Sequence, residues 1–561
     1  MNKRQDLKID DVLRLLVPKF SRTELAHVAE WPPDVFAVVG YLLSNTGLYV
    51  KAVSNDWWKN VDDQHPVQLN AVGSRWRHSA ANNEPIPGDV RRCWRLLLAS
   101  RKLSLKKIVT KKPLVKALFD LVAMADEACV GMGLPHSEYR PAEVDYKIHK
   151  RADGLLNRFI QDEVSSSSLC EKVNSDVVCV LPKIHTPQVG LTFRSLSHNL
   201  TFWMKDEIDP LWNIIESPQA DTGTFNLLLV PIPDQVHAKQ FAEIRHPQCG
   251  RHKMPMECRS FSYTPDSLKL WLKKSFPKIL KKAVAKSPEK ILHGVAFPEL
   301  SLVSEEEFIL AYEMVQEACP NAFLVAGVAR MGLPKDREST NSAYFAMPYI
   351  VSKRGAREIR HVMVSQNKHH RWRVTGGQIQ DYNLGTALDS GKDWWEHIEI
   401  HKREQNFFAL KPWLIFGFVV CEDLARQEPT SKLLRAVGPN FVIALLMDGE
   451  QVSSRWPARY ATVLAEDPGC SVLTLTSRGM SKRGADVFYR KKKKLPPRQH
   501  VVAMWRDSEG NHSIPIHEKS SAVLLSLVRK NRTEYSLDGR KAEVTALMAI
   551  DEMKGIKQIS V

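Results

Sequence analysis

The sequence predicts an α/β domain preceded by a mainly α-helical amino-terminal domain. Three observations predict it. Residues 1–165 carry apolar side chains at three- and four-residue spacing, the period of amphipathic helices. Beyond residue 175 the pattern changes to short runs rich in Val, Leu, Ile and Phe, alternating with helical patterns, as strands buried on both faces of a sheet do. Between the halves lies SSSS, residues 165–168, the clearest composition break in the chain. It marks a linker over 166–175.

In the first half, DDVLRLLVPKF, PDVFAVVGYLLSNTG, DVRRCWRLLLASRKL and PLVKALFDLVAMADEA each read as a helix. Asp10, Asp34 and Asp89 stand at helix starts and Gly47 near a stop. No repeat of fixed period is present. Residues 101–116 form the densest basic stretch of this half, with Lys106, Lys107, Lys111 and Lys112 as candidate nucleic-acid contacts. Trp57, Trp58 and Trp76 lie upstream and have rings that can stack on bases. The simpler reading makes the tryptophans core anchors and the lysines a solvated face. No helix-turn-helix, zinc-finger or RNA-recognition signature indicates direct base reading.

In the second half, residues 176–561, nine runs read as strands: 176–184, 225–232, 291–300, 322–330, 361–368, 414–421, 441–448, 471–477 and 522–528. SLKLWLKKSFPKILKKAV and EEEFILAYEMVQEA read as helices between them. An insertion at about 204–265 is irregular and holds His246, Cys249, His252 and Cys258. Four such residues suffice for zinc, but their spacing matches no standard knuckle, so they read as loop residues and no metal or other cofactor is expected. Near the end, RKKKK, with Lys491 and Lys492, is a solvated loop whose field is strong enough to touch phosphate.

At 561 residues, 43% hydrophobic and 25% charged, the chain has the composition of a soluble protein of two or three domains. No apolar run approaches the ~18 residues that span a bilayer. The amino end lacks a signal-peptide pattern. Nine scattered cysteines do not form a disulfide framework, so a reducing cytoplasm and no membrane are expected. The net charge of +16, from 79 Lys plus Arg against 63 acids, favours an acidic partner, nucleic acid first. The competing reading is a diffuse basic surface.

FGFVVCEDLAR, residues 416–426, reads as a buried strand, a tight turn and a helix. Cys421 at that turn lies beside the first N–H groups of a helix, which favours its thiolate. Its bland reading is a small buried hydrophobe. Glu299 in AFPEL and Lys368 in QNKHHRW also end predicted strands, at the sheet edge where α/β enzymes build their sites. Cys421 is suited to attack a carbonyl or nitrile carbon. Glu299 can take the thiol proton, return it to the leaving amine and then activate water. Lys368 can set an ammonium at the developing oxyanion, aided by the backbone N–H of Glu422.

FPEL followed by a helix, a strand ending in Lys, and FVVCEDLAR resemble the nitrilase (carbon–nitrogen hydrolase) superfamily and its Glu-Lys-Cys triad. DVVCVLPKIHTPQ and HNL resemble its opening strand and helix. Residues 439–480 resemble its strand, Arg-bearing helix and closing strand with Gly479. The resemblance covers roughly 176–530. It implies a four-layer αββα sandwich, a small-molecule or peptide-like amide or nitrile substrate, a thioester-type intermediate and pairing into homo-oligomers. Lys368 lies 53 positions before Cys421, longer than the family usually shows, so Lys402 and Lys411 are rivals. Lys368 is preferred because it ends a strand. His369 and His370 extend its motif as possible pocket residues. QNKHHRW, WW and CEDLAR together resemble nitrilase modules associated with bacterial reverse transcriptases in antiphage defence, which implies a nucleic-acid or reverse-transcriptase-type partner. The chain has no polymerase carboxylate motif. The alternative from another class is a catalytically silent nitrilase-fold scaffold that oligomerises and binds nucleic acid or a nucleic-acid-processing partner.

Overall fold

A computed structural model describes residues 7–53, 64–135, 143–157, 167–219, 221–244, 259–330, 339–353, 356–400, 402–491, 499–550 and 555–561. The helical half forms around two buried helices, Pro32–Thr46 and Lys112–Ala128. Both have proline in the first turn, where its missing N–H would have no helical partner anyway. Gly47 ends the first of them at φ +67°, a left-handed position that a side chain would strain. His65–Asn82 and Gly88–Ala99 pack on this pair, and Glu143–Leu156 packs on His65–Asn82. Trp76 is buried in that core, its indole N–H donating to Ala29 O at 3.1 Å. Trp57 and Trp58 lie outside the described residues.

The serine run ends in a bonded joint. The hydroxyl of Ser167 accepts the Trp212 N–H at 2.8 Å, and that of Ser168 accepts the Val180 N–H at 3.1 Å. Asp34, at the start of its buried helix, takes the N–H groups of Glu171, Lys172 and Val173. Short polar side chains here satisfy backbone that the packing has removed from water.

Two large sheets follow. The first has strand order Ala356–Asn367, Thr340–Lys353, Phe323–Arg330, Gly294–Ala296, Thr224–Leu229, Ala522–Tyr535, Lys541–Ala549, and Ile556–Ile559 also pairs with Ala522–Tyr535. The second runs Asn511–His517, Gln499–Arg506, Ser471–Thr476, Phe441–Leu446, Leu414–Val420, Glu404–Lys411, Asp209–Ile214. Phenylalanines join them face to face: Phe345 and Phe408 centroids are 4.2 Å apart, Phe323 and Phe416 5.6 Å, Phe225 and Phe441 6.2 Å. Such pairs add specific ring geometry to area burial. Helices Phe276–Lys286 and Glu305–Ala318 bury Phe276, Ile279, Leu280, Phe308 and Val315 against the outer face of the first sheet. Trp456–Glu466 covers the second. The result is a four-layer αββα sandwich behind a helical domain.

The stretch 204–265 contributes strands to both sheets, Asp209–Ile214 and Thr224–Leu229. It also supplies Phe241–Ile244 and Ser260–Tyr263 to a small outer sheet, completed by Trp394–Glu396 and Arg373–Val374. This outer sheet has its own aromatic core, including Phe261, Trp372, Tyr382 and Trp394, which packs against Leu300 and Met447 at the sandwich edge.

The expected opening strand and helix at 176–199 form differently. Val178–Pro182 pairs with Leu200–Met204 in a two-stranded sheet and packs on Pro32–Thr46. Only the short 3-10 turn Phe193–Leu196 stands between them. Pro187 and Gly190, the latter at φ +79°, interrupt a helix there. Residues 245–258, with His246, Cys249, His252 and Cys258, lie outside the described residues. Among the described residues no helix is long and apolar enough to cross a membrane.

Candidate active site

The turn after Gly294–Ala296 carries Glu299. Its next residue, Leu300, has φ +52°. The turn lies directly on Gly327, where a Cβ would come within 2.5 Å of the Glu299 Cα, so only glycine permits this approach. Lys368 follows Ala356–Asn367, and its backbone N–H donates to Asn341 O at 2.8 Å. Cys421 follows Leu414–Val420, its N–H donating to Leu445 O at 2.9 Å. Its backbone stands at φ 46°, ψ −105°, a strained conformation for a side-chain-bearing residue. The four-residue helix Glu422–Ala425 starts there, and the Glu422 N–H belongs to its first turn.

Glu299 and Lys368 meet directly, and Cys421 lies within electrostatic reach of both. Lys368 Nζ donates to Glu299 Oε1 at 2.8 Å and to Glu396 Oε2 at 2.7 Å. Asn341 Nδ2 bridges the same two carboxylates at 2.7 and 2.8 Å. The Trp372 N–H holds Glu396 from the outer sheet at 3.0 Å. All of these side chains are buried, as is Cys421 at 3% exposure. Glu299 Oε1 thus receives two donors, while its Oε2 is buried with no partner among the described residues. That leaves one oxygen for a proton.

Charge follows from this packing. Burial raises the Glu299 carboxyl; Lys368 opposes the rise and Glu396 adds to it. Burial alone would lower the Lys368 ammonium, but Glu299, Glu396 and Cys421 outweigh it and hold the ammonium well above its ordinary range. Burial and Glu299 push the Cys421 thiol well up, against Lys368 and the Met447 N–H donated to the sulfur. The local preference for a thiolate at this turn is therefore outweighed. One short helix start does not offset desolvation beside a carboxylate. The thiol keeps its proton at rest, and Glu299 is the charged group that acts on it most strongly.

The rival lysines lie elsewhere. Lys402 is exposed and pairs with Glu404. Lys411 sits at the opposite edge of the sandwich, bonded to Gln219 O and 3.8 Å from Asp221. His369 is fully buried, its ring between Thr430 Oγ1 at 2.9 Å and Glu404 O at 3.0 Å. His370 Nδ1 meets Asp423 Oδ1 at 3.0 Å, and the same carboxylate accepts the His369 N–H. Both histidines and Asp423 thus fasten the Cys421 turn to the Lys368 strand. Lys106, Lys107, Lys111 and Lys112 are exposed, and Lys111 rims an apolar groove of about 450 Å³ floored by Leu96, Leu103 and Leu114. The Lys491 side chain and Lys492 lie outside the described residues.

Glu396 and Asn341 escaped the sequence reading. Glu396 is one acid among several in DWWEHIEIH, and no spacing ties it to Lys368. Its signal is only that WWE reads as a strand whose carboxylate has to be buried.

No family model matches the chain, and no curated protein matches it. Among solved structures the chain is similar to Saccharomyces cerevisiae Nit3, a member of branch 10 of the nitrilase superfamily, at 10% identity over 58% of this chain and 91% of that one, with a TM-score of 0.27. It is similar to the C. elegans NitFhit protein at 12% identity over 55% of this chain and 61% of that one, TM-score 0.29. It is also similar to an N-terminal amidase at 10% identity over 43% of this chain and 52% of that one, TM-score 0.22.

Proposed function

We propose that the chain is a nitrilase-type hydrolase that cleaves a carbon–nitrogen bond through Cys421, Glu299 and Lys368. The observation that carries the reading is the buried Lys368 ammonium held by two carboxylates at 2.8 and 2.7 Å, beside a thiol at a strained strand-to-helix turn. In the first step Cys421 Sγ forms a bond to the carbonyl carbon of an amide, and its proton passes to the free oxygen of Glu299. The negative charge moves to the substrate oxygen, where Lys368 Nζ and the Glu422 N–H stabilise it. Collapse breaks the C–N bond, and the departing amine takes the proton from Glu299. Water, deprotonated by Glu299, then opens the thioester and the thiol regains its proton. A nitrile enters the same sequence through a thioimidate.

Glu396 and Asn341 act as positioning residues in this scheme. They fix the Lys368 ammonium and leave one Glu299 oxygen free. A second reading, a silent scaffold, draws on the same burial: the thiol is sealed and protonated at rest. A role in antiviral defence belongs to either reading and depends on a partner.

The two readings separate under an activated acyl donor. With p-nitrophenyl acetate, intact-protein mass should show one acetyl group on Cys421, absent from Cys421→Ala and both formed and lost more slowly in Glu299→Gln. Acetylation spread over lysines, with none on Cys421, contradicts the hydrolase reading.

A further inference from the structure

Residues 269–290, the paired helices Lys269–Lys274 and Phe276–Lys286 and the turn after them, hold eight lysines against one acid, Glu289. These 22 residues therefore carry seven of the chain's sixteen net positive charges. The stretch at 101–116 carries a comparable excess, seven bases and no acid, so 269–290 is one of the chain's strongly basic segments.

All eight lysines are exposed. Among the described residues none stands within 4.0 Å of a carboxylate. Two reach carbonyls of the last residues: Lys282 Nζ donates to Ser560 O at 2.8 Å and Lys286 Nζ to Gln558 O at 3.0 Å. The neighbouring helix Glu305–Ala318 exposes Glu305, Glu306, Glu313 and Glu317, and of these Glu306 feels Lys269. The acids stay on their own helix.

Packing explains why these positions are polar. Leu272, Phe276, Ile279, Leu280 and Ala283 face the first sheet, Lys274, Lys278 and Lys281 lie opposite them, and the other lysines of the two helices flank the apolar side. It does not explain why they share one sign. Lys269 and Lys273, Lys278 and Lys282, and Lys282 and Lys286 are like-charged i,i+4 pairs, which disfavour a helix, whereas Glu at alternate positions would favour it. A uniform positive face is unfavourable to the isolated chain and favourable beside a polyanion.

We propose that this lysine face binds the phosphodiester backbone of a nucleic acid without reading its sequence. The run spans about 30 Å at about 1.5 Å per residue, long enough to follow many phosphates. It holds no Arg, Asn or Gln, the side chains that pair bidentately with base edges. A membrane is a poorer fit, because the apolar side of the helices is already covered by the sheet and Leu270 is the large apolar residue left exposed. The face is separate from the basic stretch at 101–116, and the inference stands whether or not Cys421 turns over.

The test is fluorescence anisotropy of the full chain with labelled duplex DNA and single-stranded RNA of about 30 nucleotides, between about 50 and 200 mM salt. Binding is expected, steeply weakened by salt and independent of sequence. Reversing Lys273, Lys274, Lys278 and Lys281 together to Glu should weaken it at least tenfold and reduce the salt slope by about three. Reversing Lys106, Lys107, Lys111 and Lys112 should leave it near wild type. A milder variant, the same four ridge lysines changed to Gln, guards against misfolding and should lower the slope likewise. No binding at the lower salt, an unchanged slope in both ridge variants, or ridge-dependent binding to phosphatidylserine vesicles but not to nucleic acid overturns the proposal.

Discussion

Glu396 meets Lys368 at 2.7 Å from outside the sandwich, on a strand of the small outer sheet. The ammonium beside Cys421 is thus held partly by an element with its own aromatic core. Glu396→Gln keeps the shape and removes the charge. It should lower Cys421 acetylation by about 100-fold, the size of effect seen when one preorganised electrostatic partner is lost. A thermal melt checks that the fold survives. Near wild-type acetylation would show that Lys368 needs only Glu299.

Gly327 supports the Glu299 turn by having no side chain. Gly327→Ala forces a shift of backbone rather than of a flexible side-chain end. It should cost about 1–3 kcal/mol in stability and suppress acetylation of Cys421. Denaturant melts and intact mass read the two effects separately. Full acetylation would show that the Glu299 turn tolerates displacement.

Arg540 closes the contact between the helical half and the last hairpin. Its guanidinium meets Asp126 at 3.0 Å and Asp538 at 3.0 Å, and donates to Leu196 O at 3.0 Å, all buried. Asp126 also caps the N–H groups of His198, Asn199 and Leu200. Arg540→Ala leaves buried carboxylates uncompensated and should destabilise the chain by about 3–5 kcal/mol. A smaller loss would mean that water or another cation takes the place of the guanidinium.

His293 gives a pH signature at the sandwich edge opposite the triad. Burial, then Lys411, pushes its imidazole down to about 4. Its Nδ1 accepts the Asn226 N–H at 3.0 Å, which requires the neutral ring. The unfolded chain binds the proton below about 6.5, so stability from this residue is present above that pH and is lost as pH falls toward about 4. His293→Gln should flatten the difference in melting temperature between these two values. An unchanged pH profile would remove His293 as its source.

The parts legible in sequence were those with a period or a chemical type. Runs such as 414–421 and 441–448 announce strands buried on both faces, because both sides of the chain are apolar. Glu299, Lys368 and Cys421 stand out as reactive groups at the ends of such runs. Asn341 and Glu396 do not, because their contacts cross 55 residues of sequence and join different sheets. The retained proton on Cys421 is hidden from the sequence for a related reason. The helix start is local and visible in sequence, whereas the desolvation and the facing carboxylate that outweigh it are made by tertiary packing. The strand at 178–182 was visible, but its pairing with Leu200–Met204 and its seat on the helical half were not.

The central claim is that Glu299 is the base for Cys421. The most direct measurement is the rate of Cys421 alkylation by iodoacetamide as a function of pH, followed by intact-protein and peptide mass, in wild type and Glu299→Gln. Cys421 should react faster near neutral pH than the other buried free cysteines, such as Cys129 and Cys470, and Glu299→Gln should slow it until the pH is high enough to ionise the thiol unaided. Equal rates at Cys421 in the two proteins across the whole pH range would contradict the account.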